Sequence, residues 1–147
     1  MNDFSQSQST LMLIPSIKYN DIIIHVLKQL SGERICYVTL NKSYSSLRQL
    51  FEKEHIELKN IVFIDAITCS IYEPVQTDDC YFIGSPQALT ELSIVMTEFL
   101  KHDLNYIIFD SLTTLLVYQK TEGPVIRFAS NIVNKIKQVA VKVFFMR

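Results

Sequence analysis

The chain has 147 residues, about one domain's worth, and at 48% hydrophobic it can fill a sizeable core. Its 14 Lys and Arg against 15 Asp and Glu leave a net charge of −1, which argues against broad electrostatic binding to nucleic acid or an anionic membrane. The only glycines are Gly32, Gly84 and Gly123, the nearest two about forty residues apart, and this excludes the glycine-rich loops that cradle phosphates.

Met1 to Thr10 is polar, with no basic stretch leading into an apolar one, so no signal peptide is expected. Residues 1–8 are expected to form a flexible N-terminus, and residues 9–147 a single domain. No uncharged apolar run reaches the roughly 18 residues that span a bilayer. Cys36, Cys69 and Cys80 have no C-x-x-C spacing and read as reduced thiols, which points to the cytoplasm.

Thr10–Ile14 is a short apolar run ending at Pro15, and it suits a strand buried on both faces. Asn20 or Asp21 then caps a helix with Ile23, Val26, Leu27 and Leu30 on one stripe, and Gly32 stands where that helix should end. Ile35–Leu40 is a second buried strand, rich in β-branched and aromatic residues. A helix over Ser43–Glu54 follows, with Ser46 and Gln49 spaced for a capping box.

Ile61–Ile64 is the third strand, ending at Asp65, and a polar stretch from Thr68 to Asp79 leads to a further strand at Cys80–Ile83. Ser85-Pro86 has the form of a helix start, with Leu89, Leu92, Val95, Met96, Phe99 and Leu100 as its apolar stripe. Tyr106–Phe109 is the next strand, ending at Asp110. A last helix begins near Pro124, and Val141–Met146 closes the chain as a strand. Strands alternating with helices predict a three-layer α/β/α domain around a mostly parallel sheet of five to six strands.

Ligands of such sheets bind beyond the carboxyl ends of the strands, near a topological switch point. Four loops qualify: Pro15–Asn20, Asn41–Ser43, Asp65–Asp79 and Asp110–Tyr118. The first occupies the phosphate-loop position but has no glycine, and Pro15 lacks an N–H. Lys18 could reach a phosphate there, or could simply be a solvated lysine. Asp110 ends a hydrophobic strand in the manner of a magnesium-organising carboxylate, yet Asp65 has the same form. An aspartate so placed also serves to satisfy a loop or cap the next helix. Neither a nucleophilic cysteine with a neighbouring base nor a metal-ligand spacing among His25, His55 and His102 is visible, so no catalytic residue, cofactor or metal is expected.

Cys36-Tyr-Val-Thr-Leu-Asn41, Asn60-Ile-Val-Phe-Ile-Asp-Ala-Ile-Thr68, Ser85-Pro-Gln-Ala-Leu-Thr-Glu-Leu92 and Ile107-Ile-Phe-Asp-Ser-Leu-Thr-Thr-Leu115 share an order and spacing with a known family. Over residues 9–147 the chain resembles the RecA-like ATPase core of the archaeal KaiC and RadA-related group, above all its glycine-poor, degenerate members. The resemblance puts the phosphate loop at Ile14–Asp21, where its glycines and Lys-Thr/Ser pair are missing. It puts the catalytic glutamate at Asn41-Lys42, neither of which can act as a general base. Only the magnesium-binding aspartate is matched, at Asp110 with Ser111 beside it.

The resemblance therefore implies a RecA-like domain that has lost ATP hydrolysis and serves as a protein-interaction or regulatory module, by self-association or by docking onto a protein partner. The alternative is residual nucleotide binding or a weak ATPase, in an altered pocket built from Lys18, Asn41, Lys42, Asp110 and Ser111. A response-regulator receiver is discounted, because Ile14-Pro15-Ser16 is not an acidic cluster.

Overall fold

The computed structural model describes residues 8–139 and 141–147. All but the last residue of the expected flexible N-terminus thus lies outside the described residues. Gln8 is tied into the fold, its Nε2 donating to the carbonyls of Val139 (3.0 Å) and Val141 (3.2 Å), and also to that of Ile136.

In chain order the elements are β1 (Ser9–Met12), α1 (Tyr19–Gln29), β2 (Ile35–Thr39), α2 (Tyr44–Lys53), β3 (Ile61–Asp65), β4 (Cys80–Phe82), α3 (Leu89–Leu100), β5 (Tyr106–Asp110), α4 (Leu112–Gln119), α5 (Glu122–Ile136) and β6 (Lys142–Met146). The six strands form one sheet in the order β1-β6-β5-β2-β3-β4, and every pairing is parallel. Helices cover both faces, so the fold is a three-layer α/β/α sandwich consistent with a RecA-like topology. From β2 the chain winds outward through β3 and β4, then returns to the other side of β2 with β5. The switch point lies between β2 and β5.

Alternation along the strands feeds two cores. On one face Ile35, Tyr37, Phe63, Ile108 and Phe144 pack with Ile23, Val26 and Leu27 of α1 and Leu47 and Phe51 of α2. On the other, Cys36, Val38, Ile64, Phe109 and Phe145 pack with Met96 of α3 and with Phe128 and Ile132 of α5. Gly32 ends α1 with φ +85, the left-handed conformation that favours glycine at a helix end. No helix among the described residues is long and apolar enough to cross a membrane.

Four local expectations need correction. β1 is an edge strand instead of a buried one: it pairs with β6 alone and leaves Leu11 half exposed. The cap of α2 is Ser43, whose Oγ accepts from Ser46 N at 3.2 Å, so Ser46 lies inside the first turn. Ser85-Pro86 forms a turn ahead of α3, closed by Ala88 N to Ser85 O at 3.1 Å. Most of the Asp110–Tyr118 stretch, expected as loop, belongs to α4 (Leu112–Gln119).

Candidate functional site

The carboxyl ends of three adjacent strands finish in one row. Thr39 of β2 is in register with Asp65 of β3 on one side and with Asp110 of β5 on the other. Two residues earlier Tyr37, Phe63 and Ile108 face the α1/α2 side, so by the two-residue period the row faces that side too. All three are buried, and each is committed to hydrogen bonds.

Thr39 closes its own loop, with Oγ1 donating to Lys42 O at 2.7 Å. Asp65 collects mainly backbone donors: Tyr44 N at 2.8 Å on Oδ2, and Ile67 N at 2.7 Å and Thr68 N at 2.8 Å on Oδ1. The Thr68 hydroxyl also donates to it. It therefore anchors the first turn of α2 and pins the chain after β3.

Asp110 collects side chains instead. Oδ2 accepts from the Tyr37 hydroxyl at 2.6 Å, while Oδ1 accepts from Asn41 Nδ2 at 2.9 Å and from the Tyr19 hydroxyl. Asn41 Nδ2 lies 3.3 Å from Ser111 Oγ, and its Oδ1 accepts from Thr114 Oγ1. Ser111 caps α4, its Oγ accepting from Thr114 N at 3.3 Å. The peptide between Asp110 and Ser111 is cis. One network therefore ties the start of α1, the end of β2 and the start of α4 to a single carboxylate at the switch point.

Burial, and after it the charge of Asp110, pushes the Tyr19 and Tyr37 hydroxyls well above the ordinary tyrosine range. Both stay protonated and act as donors, and their protons point at the carboxylate. A cation at Asp110 would have to displace them. No group of three or more His, Cys, Asp or Glu suited to a metal occurs among the described residues.

The loop after β1 uses part of its backbone internally. Ser16–Lys18 is a 3-10 turn in which Lys18 N donates to Pro15 O at 3.0 Å and Tyr19 N to Ser16 O. Two amides that could have faced a phosphate are used within the turn, and Pro15 has none to offer. Burial pushes the Cys36 and Cys80 thiols far up and raises that of the partly exposed Cys69 as well.

Of the five residues singled out from sequence, the structure brings Asn41, Asp110 and Ser111 into direct contact. Lys42 lies nearby but reaches across to Asn20 Oδ1 at the start of α1. Lys18 is exposed and makes no side-chain hydrogen bond or ion pair among the described residues. Sequence reasoning missed Tyr19, Tyr37 and Thr114. Tyr37 carried the one available signal, since it shares a strand face with the end of β2 two residues before it. No protein-family model matches the chain, and no curated protein sequence matches it.

Proposed function

We propose that the chain is a catalytically inactive RecA/KaiC-like domain, a pseudo-ATPase that works as a protein-interaction or regulatory module. The observation that carries this reading is the occupation of Asp110. In a working site of this kind the carboxylate organises magnesium against the phosphates. Here Tyr19, Tyr37 and Asn41 take three of its roughly four acceptor positions, and the loop before α1 spends two of its amides internally. The end of β2 carries Asn41 and Lys42, so no carboxylate stands there to activate water. The residues that would bind and cleave a nucleotide instead hold α1, β2 and α4 together, and what the domain offers to other molecules is surface. Three free cysteines suit a reducing, cytoplasmic setting.

A thermal-shift screen with ATP, ADP, GTP and cyclic nucleotides plus Mg²⁺ tests the reading, since any ligand of the folded state raises apparent stability. No shift at millimolar nucleotide is the expected result. A shift of several degrees with ATP, lost in the exposed-site variant Lys18→Ala, would overturn it. The protein would then be a nucleotide binder using Lys18, Asn41, Lys42, Asp110 and Ser111.

A further inference from the structure

The sheet has two edges, and among the described residues only one is dressed to stay single. At the β4 edge the strand is three residues long, and Thr77 folds back to bridge Cys80. At the β1 edge nothing comparable stands among the described residues. Ser9 to Ile14 carries no charge and no proline, and the first interruption is Pro15. Charges, prolines and bulges are the usual means of blunting such an edge.

The ladder with β6 fixes which backbone groups look outward. Gln8 O accepts from Val143 N (2.8 Å), Met12 O accepts from Arg147 N (2.9 Å), and Ile14 N donates to Arg147 O (2.8 Å). Backbone groups of successive residues point to opposite sides of a strand, so the even-numbered residues serve β6. Ser9, Leu11 and Leu13 therefore present their N–H and C=O groups to the outside. Leu11 is 53% exposed and Leu13 72%. On the same face lies a groove of about 480 Å³ between the strand and α5, lined by Ser9, Leu11, Leu112, Ala129, Val133 and Phe145.

We propose that the occupant of this edge is a second copy of the same edge. Two β1 strands pair antiparallel about a two-fold axis through Leu11, perpendicular to the sheet, and the two sheets become one. This register alone uses every outward group. Leu11 pairs with its own symmetry mate, and Ser9 pairs with Leu13 in both directions, all as hydrogen-bonded pairs.

The axis keeps each face on its own side, so Leu13 of one copy stands opposite Ser9 of the other, over the groove beside α5. An exposed apolar knob and an apolar hole thus lie four residues apart on one strand, the spacing that the symmetry requires. An uncharged edge meets its own copy without like-charge repulsion, and it offers no charge by which a different partner would be chosen. Isologous pairing also closes after two copies, which spares the molecule open-ended growth.

The inference rests on the interaction-module reading and names the partner. Sedimentation equilibrium of the full chain, from low to high micromolar, should show a monomer–dimer equilibrium. Leu13→Lys should weaken it about tenfold or more, whereas Val117→Lys, at an exposed position on α4, should leave it unchanged. Amide exchange followed by NMR gives a readout that needs no variant: the Leu11 and Leu13 amides should gain protection as concentration rises. A monomer at every concentration overturns the inference and leaves this edge to another protein's strand. So does a dimer that tolerates Leu13→Lys while those amides stay unprotected. A nucleotide-induced thermal shift would instead remove the pseudo-ATPase reading without touching the edge, so the two failures are distinguishable.

Discussion

Asp65 and Asp110 end their strands with the same local sequence form, and they sit in register on either side of Thr39. What separates them is the origin of their donors. Three of the four donors on Asp65 are backbone amides, and all four come from chain segments that pack against the end of β3. Those on Asp110 are two phenols and an amide, reaching it across 91, 73 and 69 residues of sequence. A carboxylate with charge-assisted partners loses heavily when one is removed, because burial denies it water as a substitute. Tyr37→Phe keeps the ring and deletes the hydroxyl at a fully buried position. It should cost about 1–3 kcal/mol, read as a lower urea midpoint at unchanged slope. A neutral result would mean that the Tyr37 hydroxyl does not hold the carboxylate. The aspartates were legible as candidates from sequence; of the two tyrosines only Tyr37 left a signal, its shared strand face, since nothing local records the Tyr19 contact 91 residues away.

Among the elements, helices with an apolar stripe at helical spacing were legible, and so were strands buried on both faces. α1, α2, α3 and α5 each bury three or four residues on one side, and β2 is buried throughout. α4 lacks that signal. Leu-Thr-Thr-Leu-Leu-Val-Tyr-Gln is apolar nearly all round and buries Leu115 alone, and it ends at Lys120 with φ 63. It is held by the Ser111 cap and by packing on α5, and neither can be read as periodicity. β1 misled for the opposite reason: a continuous apolar run describes an edge strand as well as a buried one when the edge has nothing to blunt it. At α2, spacing favoured Ser46 as the cap, but the chain leaves β2 by the Thr39–Lys42 turn and brings Ser43 to the helix end first. Ser43→Ala should therefore lower stability by about 1 kcal/mol, and Ser46→Ala by only a few tenths. Comparable losses in the two variants, measured by urea unfolding, would return the cap to Ser46.

For the whole molecule, the same burial that closes the switch point makes stability depend on alkaline pH. Four acidic groups have folded values raised furthest above their ordinary ones: the thiols of Cys36 and Cys80, ordinarily near 9.0, and the phenols of Tyr19 and Tyr37, ordinarily near 10.0. The leading cause in each case is burial. Well below pH 9 all four are protonated whether the chain is folded or not, and they impose no pH dependence. As pH rises past 9, and then past 10, the unfolded chain releases these protons while the folded chain keeps them. The unfolded state then binds fewer protons, so unfolding becomes more favourable with pH. Each group contributes up to about 1.4 kcal/mol per pH unit once its unfolded form is ionised. The urea midpoint should hold steady from pH 7 to about 8.5 and fall progressively through pH 11. Cys36→Ala should flatten the first part of the fall and Tyr37→Phe the later part, which separates these groups from exposed lysines titrating in the same range. A midpoint that stays level through pH 11 would mean that the thiols and phenols reach water in the folded state. The closed network around Asp110 would then have to be open, and with it the reason for reading this domain as one that no longer takes a nucleotide.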